Sequence, residues 1–325
     1  MKFLLRRIGF YLIAAWASVT LAFIIPRLMP GDPAQAMFAR FKRKLEPEAM
    51  DALREAFGFT DAPLWQQYFT YLQHVASGDL GISISYYPAS VGSVISTALV
   101  WTLFLAGVSV VISFAIGTWL GILTAWNRNG WLDKIAPPIL VFLGAFPYFW
   151  LAMLFLFLFG FVLGWFPVRH AFSPDLEPGL NLAFMWSVTT HAFLPAGTIV
   201  LATLGGWLLS MRNTMIGVLD EDYTLLARAK GLSERRIMFN YAARNALLPN
   251  VTGFGMALGF VVSGSLLTEI VFSYPGQGYL LIQAVRSLDY PLIQGLFLTI
   301  TLAVLGANLL VDIVYVWLDP RARRG

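Results

Sequence analysis

Apolar residues dominate six stretches of the chain, Ile8 to Met29, Val100 to Ala125, Ile135 to Leu163, His191 to Met211, Val251 to Phe272 and Leu292 to Leu318. Each reaches the roughly 20 residues that a helix needs to cross the hydrocarbon core of a bilayer. An apolar run of that length predicts a helix, because lipid offers no partner to a backbone N–H or C=O and the segment must satisfy its own. The polar intervals have patterns as well. After the first stretch, Pro30-Gly31-Asp32-Pro33 forms a helix-stopping turn. Met50, Leu53 and Phe57 then recur at helical spacing between Pro47 and Gly58, and Trp65, Tyr68, Phe69 and Leu72 repeat the pattern. These stripes predict two amphipathic helices packed on the membrane surface or on neighbouring spans, a structural lid.

The longest interval on the other side runs from Arg212 to Pro249, and its charges predict helix rather than coil. Asp220, Glu221 and Asp222 precede a helix that ends in Arg228 and Lys230, the order that complements the helix dipole. Gly231 supplies a sharp turn, and Ser233 with Glu234 opens a second helix. The expected organisation is a first helix in 1–29, an external segment in 30–98, a five-helix core in 99–318 containing the helix-turn-helix of 212–249, and a tail in 319–325.

Composition agrees with this reading. Hydrophobic residues make up 58% of the chain and charged ones 12%, about half the share of an ordinary soluble domain. The net charge of +4 matters less than its placement. Lys and Arg near span ends stay on the cytoplasmic side. Lys2, Arg6, Arg7, Arg128, Lys134, Arg212, Arg228, Lys230, Arg235, Arg236, Arg244, Arg321, Arg323 and Arg324 fall on one side, against Arg169 and Arg286 in the opposite short loops. Arg40 to Lys44 and Arg54 lie in an external segment too long for the rule to count. Both termini are therefore expected in the cytoplasm, and the basic balance reflects orientation, not nucleic-acid binding. The start also resembles a signal peptide, with Ala15-Trp16-Ala17 as a cleavage site, but cleavage there would cut an apolar run that continues to Ile25.

Catalytic chemistry is hard to find. No Gly-Lys dipeptide occurs, so the phosphate-cradling loop of P-loop ATPases is missing, and with no cysteine there is neither thiolate nucleophile nor disulfide. His74, His170 and His191 are scattered without metal-ligand spacing. Within the spans Glu269 and Asp312 are the clearest ionisable residues, and Arg212 sits where it can snorkel. They are too few for a proton-coupled transporter. Gly117 with Gly121 and Gly255 with Gly259 read as close helix packing. Asn250-Val251-Thr252 reads as a chance glycosylation sequon.

Asp222-Tyr223, the run Ala227-Arg228-Ala229-Lys230-Gly231-Leu232-Ser233-Glu234-Arg235-Arg236 and Arg244-Asn245-Ala246-Leu247-Leu248-Pro249 resemble the signature loop of B-type permeases in the dipeptide, oligopeptide and nickel ABC importer family. Arg6-Arg7, Leu28 to Pro33, Gly78-Asp79-Leu80-Gly81, Phe149-Trp150-Leu151, Gly164-Trp165-Phe166-Pro167, Thr268 to Gly276, Asp289-Tyr290-Pro291, Asn308 to Asp312 and Leu318 to Arg321 extend the likeness along the whole chain. The resemblance implies an all-α integral membrane protein of six transmembrane helices with the type I ABC importer permease fold, in the bacterial inner membrane. It implies a pore subunit and not an enzyme. Its partners would be a second homologous permease, two ATP-binding subunits that carry ATP and magnesium, and an external substrate-binding protein, with no cofactor in this chain.

The resemblance further implies that Tyr223, Leu226, Ala227, Arg228, Ala229, Lys230, Gly231, Leu232, Arg235 and Arg236 form the coupling helix seated in an ATPase groove. Tyr274, Pro275, Gly276 and Gln277 are expected to contact the binding protein, and Phe146, Pro147, Tyr148, Ser263 and Glu269 are candidates for the pathway. Tyr241-Ala242-Ala243 and Ala145-Phe146-Pro147-Tyr148 depart from the usual pattern. The added aromatic residues suit either sugar faces or ordinary packing. Peptides stand first as substrate, with oligosaccharides and nickel complexes as alternatives. A membrane scaffold, the competing class, would dock no ATPase.

Overall fold

The computed structural model describes residues 2–28, 62–261 and 266–318, with side chains described at 9–28, 62–259, 261 and 266–309. The expected helix at Met50 to Phe57 and the cations of 40–44 lie outside these residues. Nearly everything described is helical, and the extended pairing among the described residues is the isolated bridge between Ile82 and Ser90. In chain order the first helices are α1 Lys2–Leu28, α2 Leu64–Ser77, α3 Val91–Trp126 and α4 Trp131–Ala145. Then come α5 Tyr148–Phe155, which widens into a π-helical segment Leu156–Val162, and α6 Leu182–Leu219. The loop that follows holds α7 Asp222–Ala229 and α8 Glu234–Arg236, the latter running through a π-helical segment Ile237–Ala243 into α9 Arg244–Phe260. The last three are α10 Leu266–Val271, α11 Gln277–Arg286 and α12 Tyr290–Leu318.

Among the described residues four helices are long and apolar enough to cross a membrane, at Gly9–Leu28, Val91–Trp126, Leu182–Leu219 and Tyr290–Leu309. A fifth candidate is the pair Trp131–Ala145 and Tyr148–Val162, which is bent by 97°. The expected third span is thus not one straight helix. Phe146 takes an extended conformation, as residues before proline do, and Pro147 has no N–H to continue the ladder. The Pro147 carbonyl instead accepts the N–H groups of Trp150 and Leu151 and starts α5. The expected fifth span is divided between α9 and α10 by residues 262–265, outside the described set, so the count among the described residues is four or five rather than six.

Two compact units arise from non-contiguous parts of the chain. One comprises Met1–Thr102, Val262–Leu266 and Pro275–Gly325. Within it α1 packs along α12, and α2 turns Tyr68 and Tyr71 onto Phe23 of α1, with ring centroids 5.2 and 5.5 Å away. The Arg27 guanidinium lies 3.5 Å from the centre of the Phe23 ring and donates to the Gln67 side chain. The expected stripe on α2 is therefore split. Tyr68 and Leu72 turn inward while Leu64, Trp65 and Phe69 stay exposed. Beyond α2, Ser83 Oγ and the Ser85 N–H both donate to the buried Asp289 carboxylate, whose other oxygen accepts the Leu292 N–H and so caps α12. Residues next to Gly78-Asp79-Leu80-Gly81 thereby hold the start of the Asp289-Tyr290-Pro291 motif.

The other unit comprises Leu103–Val261 and Leu267–Tyr274 and is organised on α6. A Cβ at Gly117 would stand 2.6 Å from Trp207 Cβ, and one at Gly121 would stand 2.7 Å from the Leu208 carbonyl oxygen. Gly205 of α6 is equally tight, its Cβ position 2.7 Å from the Leu140 oxygen of α4. Small residues at these points let backbones approach to van der Waals contact, which is the main attraction between helices when lipid is the solvent. Leu140, Leu204 and Leu208 fill one side of the contact, and Ile122, Met211, Met215, Ala242 and Ala246 fill the side nearer Leu219. Gly255, expected to pack closely as well, faces open space.

Gly121→Val should lower the stability of the purified chain by on the order of 2 kcal/mol, because the obstacles are backbone atoms that cannot swing away. Gly255→Ala, where nothing is met, should leave it unchanged or raise it slightly. Thermal unfolding of the two variants in one detergent checks the contrast.

Candidate functional site

A groove of about 580 Å³ runs beside the close contact of α4 and α6. Its walls come from Val110 of α3, Leu140, Val141 and Gly144 of α4, Ala202, Thr203, Gly205, Gly206, Trp207, Leu209 and Ser210 of α6, and Ala257 of α9. Gly144 and Gly205 let α4 and α6 approach closely, and Gly206 and Ala257 leave the space beside the contact unfilled. Among the described residues those lining it are uncharged. Thr203 is engaged with Ser113, whose hydroxyl lies 2.7 Å away, and with the carbonyl of Ile199. Ser210 donates to the side-chain oxygen of Asn250.

Asn250, which the sequence offers only as part of a sequon, is 1% exposed and is the polar centre of this unit. Its amide nitrogen lies 3.3 Å from Thr118 Oγ1 and 3.3 Å from the Trp207 carbonyl. Arg212 is also not a free, snorkelling cation. Its guanidinium binds Asp133 with both carboxylate oxygens, at 2.6 and 3.0 Å, and the Asn129 N–H adds a third bond to that carboxylate. The pair fastens the first turn of α4 to α6.

In the loop between α6 and α9, α7 presents two faces. Thr224 and Ala227 are buried, and the Thr224 hydroxyl donates to the Val218 carbonyl at the end of α6. Tyr223, Leu225 and Leu226 are exposed. Tyr223, Leu226 and Ala227, expected together in the coupling helix, thus face different ways, with Ala227 turned into the chain's own packing. A large residue there would disturb the loop itself before it reached any partner. Arg228, Ala229, Lys230, Arg235 and Arg236 are exposed and Leu232 is half-buried. Gly231 has φ 73°, a left-handed conformation that lets the Gly231 and Leu232 N–H groups close the helix on the carbonyls of Arg228 and Ala227. Ser233 stands at the N-cap position of α8, where its backbone carbonyl, not its hydroxyl, receives the first bonds.

The remaining expected sites fare differently. Tyr274 and Gln277 are 0% and 1% exposed, Gly276 is buried and Pro275 half-buried, so this stretch does not offer the side chains expected to meet an external protein. The cause is local. The Tyr274 N–H returns to the Glu269 carbonyl at 2.8 Å and folds the chain back, and the Gln277 N–H is held by Thr102 Oγ1. Burial, and then Glu269, push the Tyr274 phenol above its ordinary pKa. Glu269 is itself fully buried. Phe146 and Pro147 form the elbow between α4 and α5. The Phe146 ring is stacked on Trp150 and edge-on to Phe142, which engages it in packing, while Tyr148 is exposed. Ser263 lies outside the described residues. Phe146, Pro147, Tyr148 and Glu269 are not among the described residues that line the groove, whose sequence signal is the cluster of small residues around Gly205 and Gly206.

Two family profiles match this chain. The one described as binding-protein-dependent transport system inner membrane component covers residues 117–324, and that for the N-terminal part of such membrane components covers residues 1–115. The chain is similar to a di/tripeptide transport system permease protein of Pseudomonas aeruginosa strain UCBPP-PA14, at 34% identity over 99% of each chain. It is equally similar to a dipeptide transport system permease protein of Escherichia coli K12, with 34% identity and the same coverage. A glutathione transport system permease protein of E. coli O6:H1 is 34% identical over 93% of this chain and 92% of its own.

The Asp133–Arg212 pair yields a direct test. Asp133→Ala or Arg212→Ala alone should cost about 2 kcal/mol, since each leaves a charged partner without its bonds. The double variant should cost clearly less than the sum of the two, as a double-mutant cycle on unfolding would show.

Proposed function

This chain belongs to the inner-membrane components of binding-protein-dependent transport systems, and from that premise we propose that it is a pore-forming permease of an ATP-driven importer whose substrates are peptides. The observation that carries the peptide assignment is the match, over essentially the full length of both chains, to permeases named for di- and tripeptides, joined by a permease named for glutathione. In this reading the chain crosses the membrane six times in the type I importer fold, with both termini in the cytoplasm. It pairs with a second, homologous permease and with two ATP-binding subunits that bind ATP and magnesium. An external binding protein delivers the peptide.

The geometry supports a division of labour. Tyr223, Leu225 and Leu226 form an apolar patch on a loop rich in exposed cations, and such a patch in water is stabilised when a partner covers it. An ATP-binding subunit with an apolar groove and an acidic rim fits that chemistry, with Arg228, Lys230, Arg235 and Arg236 at the rim. Behind the patch, α7 rests on α6 and on the π-helical segment that leads into α9. A displacement of α7 therefore reaches two helices that line the groove. The groove is the proposed peptide path. Its uncharged wall forms no ion pair with a peptide side chain, so selection falls to the binding protein.

Proteoliposomes holding this chain, its second permease and the two ATP-binding subunits should take up peptide and hydrolyse ATP faster when loaded binding protein is added. No peptide-dependent uptake would refute the assignment. Tyr223→Ala combined with Leu226→Ala should reach the membrane at normal levels but lose the ATP-binding subunits on purification. Gly231→Val should impair uptake and Gly231→Asn much less, because asparagine tolerates the left-handed conformation and a β-branched residue does not.

A further inference from the structure

One amide joins three helices. Asn250 belongs to α9, its nitrogen engages Thr118 of α3 and the carbonyl of Trp207 in α6, and its oxygen accepts from Ser210 one turn further along α6. Trp207 and Ser210 both line the groove. The Trp207 ring is enclosed in its turn, edge-on to Phe114 at 5.4 Å, while Phe114 stacks on Phe254 of α9 at 4.3 Å. Towards the cytoplasm, α9 continues without a break into the π-helical segment and α8.

Packing alone does not call for an amide here. A buried amide loses hydration and recovers it only through complete hydrogen bonding, whereas leucine has nearly the same size and no such requirement. The amide does supply a directional tie with partners able to release it, since serine and threonine hydroxyls in helices can return to the carbonyl of the preceding turn. We propose that Asn250 is a positioning residue for transport, an amide clasp that carries displacement of the cytoplasmic loop along α9 to the groove-lining residues Trp207, Leu209 and Ser210. The inference rests on the reading of the groove as the peptide path and of α7–α8 as the site of ATPase docking.

The test uses the complete reconstituted complex with binding protein and measures peptide uptake per ATP hydrolysed. Asn250→Leu should keep the complex assembled and its stimulated hydrolysis within about twofold of wild type, while uptake per ATP falls about tenfold. Thr118→Val, nearly isosteric, should lower the ratio in the same direction by a smaller factor, and the double variant should be no worse than Asn250→Leu alone, because both changes remove the same clasp. An unchanged ratio in Asn250→Leu would overturn the proposal, as would a parallel fall of hydrolysis and uptake, which marks a merely structural role. If Asn250→Leu does not accumulate, Thr118→Val decides, and an unchanged ratio there overturns the clasp. A wild-type complex that takes up no peptide refutes the peptide-permease reading instead, so the two failures are distinguishable.

Discussion

At Gly117, Gly121 and Gly205 three helices approach until a single methyl group would overlap the neighbouring backbone. In water, burial of leucines would hold such helices together, but lipid tails solvate leucine as well as a helix does, so surface contact must do the work. The rest of the second unit depends on this spacing. It brings α3 and α4 onto α6, sets Leu208 and Met211 wholly inside, and leaves beside the seam the space that becomes the groove. Larger residues would separate the helices and fill the groove together.

Polar groups then fix what the apolar seam leaves undetermined. A smooth contact between helices resists separation well and sliding or rotation poorly. The Asp289 carboxylate holds the entry to α12, the Asp133–Arg212 pair holds the start of α4 on α6, and Asn250 holds α9 on α3 and α6. Each is built from at least three hydrogen bonds, which low-dielectric surroundings strengthen. Each also joins residues far apart in sequence.

That last property explains what the sequence could and could not reveal. Apolar run length finds α1, α3, α6 and α12, because run length is a one-dimensional signal that a bilayer enforces, but α3 begins well before Val100 and α6 extends well past both His191 and Met211, where polar residues continue the helix beyond the apolar run. Charge order and Gly231 locate the helix-turn-helix for the same reason. The elbow at Phe146 was readable from Pro147 but was masked by the apolar run on either side of it. The expected coupling surface of α7 misleads because Tyr223 and Ala227 are neighbours on a helical wheel, and only the position of α6 decides which turns inward. Tyr274 and Gln277 look like a loop surface until the backbone bond to Glu269 folds them in. Asn250 carries no local signal, since its meaning lies in Thr118 and Trp207.

The length of α6 has a mechanical consequence. Pro195 interrupts its hydrogen-bond ladder, and from there to Leu219 the helix runs on for roughly 36 Å at 1.5 Å per residue. A tilt of about 10° about Pro195 moves the far end of such a length by roughly 6 Å, close to one helical pitch. The lever arm thus converts a small angular change into a stroke the size of an amino-acid side chain, and no turn of helix has to melt to deliver it.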